Sequence, residues 1–235
     1  MSTGRRVGIL GGTFDPVHYG HLDAGDAAAA QLGLAEIICV PSSDPPHRDP
    51  ARVSAYHRFA LIALAIAGRD GWRLSDAEVT RGGRSYTVDT LRALHAGGLE
   101  PTQIFFIIGA DAFAEIGMWR AFPEVLDLAH FVVIARPGTS LTDATDRYPS
   151  LAPRVRAAAR GTLDRAGKTG ILLVDARTRD VSSTVIRDRL ATGARIDDLV
   201  PAAVARHIVA NSLYGAVNGL HGQDESGKST SGPKR

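Results

Sequence analysis

The apolar run Val7-Gly8-Ile9-Leu10 passes directly into Gly11-Gly12-Thr13-Phe14-Asp15-Pro16-Val17-His18-Tyr19-Gly20-His21, and an alanine-rich helical pattern follows over 22–32. A short apolar strand, a glycine-rich turn and a helix start constrain the rest of the chain strongly. The strand must be buried, and the helix must pack back against it. The same order of elements aims the N–H groups of the first helical turn, and the positive end of the helix dipole, at whatever occupies the turn. That is an anion site. His18 and His21 lie three apart where the helix begins, so both rings can face one phosphate. Imidazole N–H groups can donate to phosphate oxygens that gain charge in a transition state. Gly20, between the two histidines, permits a close approach of backbone or nucleotide.

The rest of the chain repeats the pattern. Short apolar runs, several of them β-branched or aromatic, predict strands at 7–10, 36–40, 72–74, 104–108, 131–135 and 171–174. Helical patterns occupy 22–32, 55–67, 87–96, 110–116, 123–128, 151–165, 183–190 and 201–211. Ser54 is placed to cap the second helix, and Pro201 suits the first turn of the last. Continuous apolar runs are what strands covered on both faces require. The alternation therefore implies an α/β fold with a doubly wound, mostly parallel sheet of the Rossmann-like type and right-handed crossovers. Ligands of such sheets bind beyond the carboxyl ends of the strands. Segments 11–21, 41–48, 109–111 and 136–137 all follow predicted strands and should gather on that edge.

Residues 1–214 are expected to form one domain, because 235 residues suffice for a single well-buried α/β core. Residues 215–235 change to Gly, Ser, Lys, Asp and Glu without apolar periodicity and read as a disordered tail. Within that tail Gly222-Gln223-Asp224-Glu225-Ser226-Gly227-Lys228-Ser229 spells a P-loop consensus. A working P-loop needs a buried strand before it and a helix after it, and neither is in the sequence. A formal net charge of +2 gives no general affinity for nucleic acid or membrane. Cys39 is the one cysteine, inside Ile37-Ile38-Cys39-Val40, which excludes a disulfide framework and a thiolate metal cluster and suits a buried small hydrophobe. There is no apolar run of membrane-spanning length and no secretory h-region at the start, so the cytoplasm is the expected compartment. A homo-oligomer is left open.

A second motif, Val181-Ser182-Ser183-Thr184-Val185-Ile186-Arg187, lies near the other end. Ser182 or Ser183 can cap a helix, and Arg187 falls one turn on, beside Ser183 and Thr184. Hydroxyl, backbone and guanidinium donors converging in this way suit a polyphosphate, although an ordinary capped surface helix has the same local pattern. Three further segments stand out: Pro45-Pro46-His47-Arg48; Ser85-Tyr86-Thr87-Val88-Asp89-Thr90-Leu91; and Phe106-Ile107-Ile108-Gly109-Ala110-Asp111 followed by Trp119. Taken singly, Trp119 could be a core aromatic, Asp111 a helix cap, and Tyr86-Thr87 a plain helix start.

In this order the five motifs resemble the bacterial nicotinate-nucleotide adenylyltransferases, members of the H-x-G-H nucleotidyltransferases, over nearly all of residues 5–213. The resemblance implies that Gly11, Gly12, Thr13, Phe14, His18 and His21 hold ATP. It also implies that Ser182, Ser183, Thr184 and Arg187 hold its phosphates, and that Ile108, Gly109 and Asp111 lie beside the adenine. His18, His21 and Arg187 would be the catalytic donors. Nicotinate mononucleotide would meet His47, Arg48, Tyr86, Thr87 and Trp119, with Trp119 stacked on its ring and the region of Tyr86 and Thr87 helping to receive its carboxylate. The family more often has Lys where this chain has Arg48, and a forked guanidinium binds phosphate differently from an ammonium. Mg²⁺ would be held mainly by the ATP phosphates rather than by a protein cage. Phosphopantetheine adenylyltransferases and cytidylyltransferases share the first motif without the Ser85–Leu91 and Gly109–Trp119 pair, while a nucleotide sensor without turnover and a P-loop NTPase are rivals from other classes.

Overall fold

The computed structural model describes residues 4–46, 50–135, 146–157, 168–176 and 178–216. Strands β1 (Val7–Gly12), β2 (Glu36–Pro41), β3 (Trp72–Leu74), β4 (Ile104–Gly109), β5 (His130–Ala135), β6 (Val155–Ala157) and β7 (Ile171–Asp175) form one sheet in the order β3-β2-β1-β4-β5-β7-β6. Every pairing is parallel. The chain runs outward from β1 to β3 and then returns to build the other half from β4. The strand order thus reverses between β1 and β4, whose carboxyl ends flank the crevice where ligands of open α/β sheets bind.

The apolar runs are continuous because both faces are covered. Successive residues of β4 go to opposite sides. Phe105 and Ile107 join one core with buried residues of α1 (Tyr19–Leu32), α2 (Ala55–Ile66), α6 (Ser183–Ala191) and α7 (Ala202–Ala210). Ile104, Phe106 and Ile108 join the other, with α4 (Thr87–Ala96) and α5 (Ala110–Ala114). Cys39 is buried among the first set, and burial pushes its thiol up to about 12. Ser54 caps α2 by accepting the His57 N–H at 3.2 Å.

Several expected elements differ. The helix expected over 151–165 does not form in its described part. Pro149–Arg154 is a 3₁₀ segment, and Val155–Ala157 pairs in parallel with β7 as the edge strand β6. Pro153 has no N–H for a helical ladder, and the free edge of β7 offers the next residues a better set of partners. Residues 158–165 of that expected helix lie outside the described residues. The helix expected over 110–116 stops at Ala114 and gives way to 3₁₀ at Ile116–Met118, and the one over 123–128 is 3₁₀ at Glu124–Asp127. A short helix α3 (Ala77–Arg81) and the start of α1 at Tyr19 rather than Leu22 were not anticipated. Pro201 is the N-cap of α7 rather than its first residue. Residues 217–235, with the P-loop look-alike, lie outside the described residues, as do Arg136 and Pro137.

Candidate active site

The β1–α1 connection and the start of α6 meet at the carboxyl edge of the sheet, where an open cavity of about 960 Å³ lies. Its lining includes Gly11, Gly12, Thr13, Phe14, His18, His21, Tyr86, Thr87, Ile108, Gly109, Asp111, Trp119, Ser182, Ser183, Thr184 and Arg187. The sheet thus brings together residues up to 176 positions apart in sequence. His47 and Arg48 lie outside the described residues.

His18 is the N-cap of α1 and only 4 % exposed. Its ring and that of His21 lie 3.7 Å apart between centroids and 31° from parallel. The His18 backbone N–H donates to Nδ1 of His21 at 3.2 Å. A ring nitrogen that accepts carries no proton, so neutral His21 holds its proton on Nε2 and is a donor there. Glycine at position 20 has a steric cause: a Cβ there would lie 3.1 Å from Nδ1 of His18 and 3.2 Å from Cγ1 of Val181, pressing on the ring the motif must place. Phe14 has φ 52° and is 2 % exposed, with its ring 4.9 Å from that of His21. Its side chain supports the histidine from the core side.

The second motif closes on the first. Ser182 caps α6 by accepting the Val185 N–H. Ser183 Oγ donates to the Pro16 carbonyl at 2.8 Å, and Arg187 Nη1 donates to the Asp15 carbonyl at 2.7 Å. Arg187 Nη2 donates to Thr184 Oγ1 at 3.0 Å. Two donors of α6 therefore fix the loop that carries the histidines, and the N-terminus of α6 faces the same space.

At the far end, Tyr86 is the N-cap of α4, and the Ser43 N–H donates to Ser85 Oγ at 2.8 Å, joining the loop after β2 to this segment. Trp119 meets Phe106 edge-on at 6.0 Å and Phe131 at 6.3 Å while also lining the cavity. It is a core-packed ring with an open side. Gly109, not Asp111, is the N-cap of α5; a Cβ on Gly109 would meet nothing within 4 Å, so the cavity is open there.

Residues 9–189 match the cytidylyltransferase-like family. A relative from Pseudomonas fluorescens, described as a probable nicotinate-nucleotide adenylyltransferase, is 41% identical over 219 residues, 92% of this chain and 100% of its own. The chain belongs to the nicotinate-nucleotide adenylyltransferase family. A second relative so described, from Trichlorobacter lovleyi, is 36% identical over 211 residues, 89% of this chain and 99% of its own. The solved nicotinic acid mononucleotide adenylyltransferase of Plasmodium falciparum, complexed with NaAD, superposes with a TM-score of 0.68 at 18% identity, covering 90% of this chain and 98% of that one. At that identity the superposition speaks for a shared fold.

In this family member the site residues expected from the sequence left out several that brace the site, including Asp15 within the first motif. Asp15 is 7 % exposed. Its Oδ1 accepts from the Tyr214 hydroxyl at 2.9 Å and its Oδ2 from the Arg52 N–H at 2.7 Å. Arg58, 1 % exposed, donates to the carbonyls of Thr13 at 2.6 Å, Ser43 at 3.1 Å and Val53 at 3.4 Å. Burial lowers its pKa, with Asp15 opposing. A signal for Arg58 was present, since it shares the buried face of α2 with Leu61, Ile62 and Ala65, where a charge needs partners. Arg179 lies 3.8 Å above the Tyr19 ring and pairs with both Asp23 oxygens at 3.0 Å on the cavity rim. Burial alone would raise the Asp23 carboxyl, but Arg179 holds it below its ordinary value. For Tyr214, 199 positions from Asp15, no local signal existed.

Proposed function

We propose that this protein transfers the adenylyl group of ATP to nicotinate mononucleotide, giving deamido-NAD and pyrophosphate, a step of NAD biosynthesis. The observation that carries this reading is one cavity lined both by the anion donors of the two motifs and by Tyr86 and Trp119. Two nucleotides can then lie end to end with their phosphates at the histidines. The full-length kinship with curated relatives described as nicotinate-nucleotide adenylyltransferases supports it.

The mononucleotide phosphate has a second pKa of about 6 and is already a nucleophile at neutral pH. One of its oxygens attacks the α-phosphorus of ATP in line; the new P–O bond forms as the bond to the β-phosphate oxygen breaks and pyrophosphate leaves. Alignment and stabilisation of the phosphoryl oxygens supply the catalysis. His21, with its proton on Nε2, and His18 donate to those oxygens. The Gly11–Thr13 backbone and the first N–H groups of α6 at Ser183 and Thr184 take the polyphosphate. The Ser183 hydroxyl is committed to Pro16, so its contribution is through the backbone. Arg187, while holding Asp15, keeps further N–H donors for the leaving group. Ile108, Gly109 and Asp111 flank the adenine, Trp119 stacks on the nicotinate ring, and His47 and Arg48 serve the mononucleotide phosphate.

The donor set around the histidines is imidazole, hydroxyl, backbone N–H and guanidinium, and the carboxylate of the first motif, Asp15, already accepts two hydrogen bonds. Such a set suits anions. It fits Mg²⁺ that arrives on the nucleotide and, when bound, neutralises phosphate charge. Pyrophosphate release with ATP and each of nicotinate mononucleotide, nicotinamide mononucleotide and phosphopantetheine tests the reading. The nicotinate form should be used best, and Trp119→Ala should weaken both pyridine mononucleotides by similar factors. No release with nicotinate mononucleotide would refute it.

A further inference from the structure

Arg120 belongs to no motif in this chain, yet it lines the cavity beside Tyr86. Its guanidinium carbon lies 4.7 Å above the Tyr86 ring, and its Nη1 is 3.4 Å from Oδ2 of Asp89. Both partners belong to the start of α4, as the N-cap and a first-turn acid. Among the described residues Nε and Nη2 of Arg120 have no hydrogen-bond partner, and the side chain is 57% exposed. The fork is therefore held by one nitrogen and one aromatic face, with two donor positions to spare.

Charge gives this placement its consequence. Glu78, Asp111 and Glu115 also line the cavity, and Asp89 stands beside it. These four carboxyl side chains stand on or beside the lining, where the helix start at Tyr86 offers only partial positive charge. Two other arginines of the lining have their guanidinium groups engaged elsewhere: Arg187 with the Asp15 carbonyl and Arg179 with the Asp23 carboxylate. Arg120 is the lining arginine whose guanidinium lies against Tyr86.

We propose that Arg120 is a specificity-determining residue: its guanidinium takes the ring carboxylate of the substrate, and Asp89, which holds it in place, disfavours a carboxylate when the guanidinium is gone. This rests on the adenylyl-transfer reading above. Stacking cannot separate two rings of the same shape, whereas a cation gains a charge-assisted hydrogen bond from a carboxylate and only a weaker neutral one from an amide.

The test is kcat/KM for nicotinate and nicotinamide mononucleotides in the wild type, Arg120→Ala, Arg120→Lys and the double variant Arg120→Ala/Asp89→Asn, with a thermal melt of each. Arg120→Ala should lower kcat/KM for the nicotinate form about tenfold, or about 1.4 kcal/mol, chiefly through KM, and leave the nicotinamide form within about twofold. Lysine keeps the charge but not the fork, so that variant should fall between. Removing Asp89 as well should recover part of the loss, which a merely structural role would not produce. Equal losses on both substrates, or no loss on either, would overturn the assignment of Arg120 and leave adenylyl transfer standing. A wild type that releases no pyrophosphate with either mononucleotide would overturn both.

Discussion

Tyr214→Phe removes one oxygen from the far end of the chain and is expected to act on the phosphate loop. The hydroxyl donates to Oδ1 of Asp15 at 2.9 Å, and Asp15 is 7 % exposed, so water cannot readily replace the bond. A hydrogen bond to a charged acceptor is worth about 1.5–3 kcal/mol net. Oδ2 keeps the Arg52 N–H, which sets the expected loss near the lower half of that range, about 2 kcal/mol. For a domain of this size that lowers Tm by about 4–8 °C. Turnover should fall as well, because the same residue's carbonyl receives Arg187 and the next one receives Ser183. About three- to tenfold in kcat is expected, short of the ~100-fold that a 1 Å misplacement can cost. A pH arm isolates the hydroxyl. Burial, and then Asp15, raise the Tyr214 phenol well above its ordinary value, so the folded protein keeps that proton where the unfolded chain releases it, near pH 10. The wild type should therefore lose stability as pH rises above about 10, and the variant should lose less. Melts across pH with parallel pyrophosphate-release kinetics decide. An unchanged Tm with the same alkaline slope would show that the bond does not brace the loop.

The remaining predictions concern other parts of the molecule. His18→Ala and His21→Ala should each lower kcat by about 10²–10³, the cost of one transition-state donor. Near-normal turnover in both would remove them from the chemistry. Cys39, its thiol held up at about 12 by burial, should resist a thiol reagent at pH 8 in the native protein and react in denaturant. Fast native labelling would show that the β2 face opens. Deleting residues 222–235 should leave ATP affinity by calorimetry unchanged, and loss of binding would revive the P-loop reading.

The strands of the sheet centre were legible because burial on both faces demands continuous apolar runs, and the runs at 7–10 and 104–108 lie within Val7–Gly12 and Ile104–Gly109. The edge at β3 was legible too, at 72–74, but the edge at β6 was not. β6 has three residues, Val155–Ala157, and becomes a strand because β7 offers an unpaired edge, which no local pattern encodes. The site divides in the same way. Glycine turns, histidine spacing and a serine cap are local devices with periods a reader of sequence can count, so His18, His21, Ser182 and Arg187 stood out.

By itself, then, the sequence determined the α/β alternation and the chemistry of the donors, since periodicity, turn chemistry and side-chain type act over a few residues. Only the tertiary structure decided what those donors hold. Packing brought Tyr214 to Asp15, Arg58 to the Thr13 carbonyl and Arg120 to Tyr86. Buried polar groups take whichever partner the fold delivers, because leaving them unpaired costs about 1–3 kcal/mol each. Those partners come from elements distant in the chain.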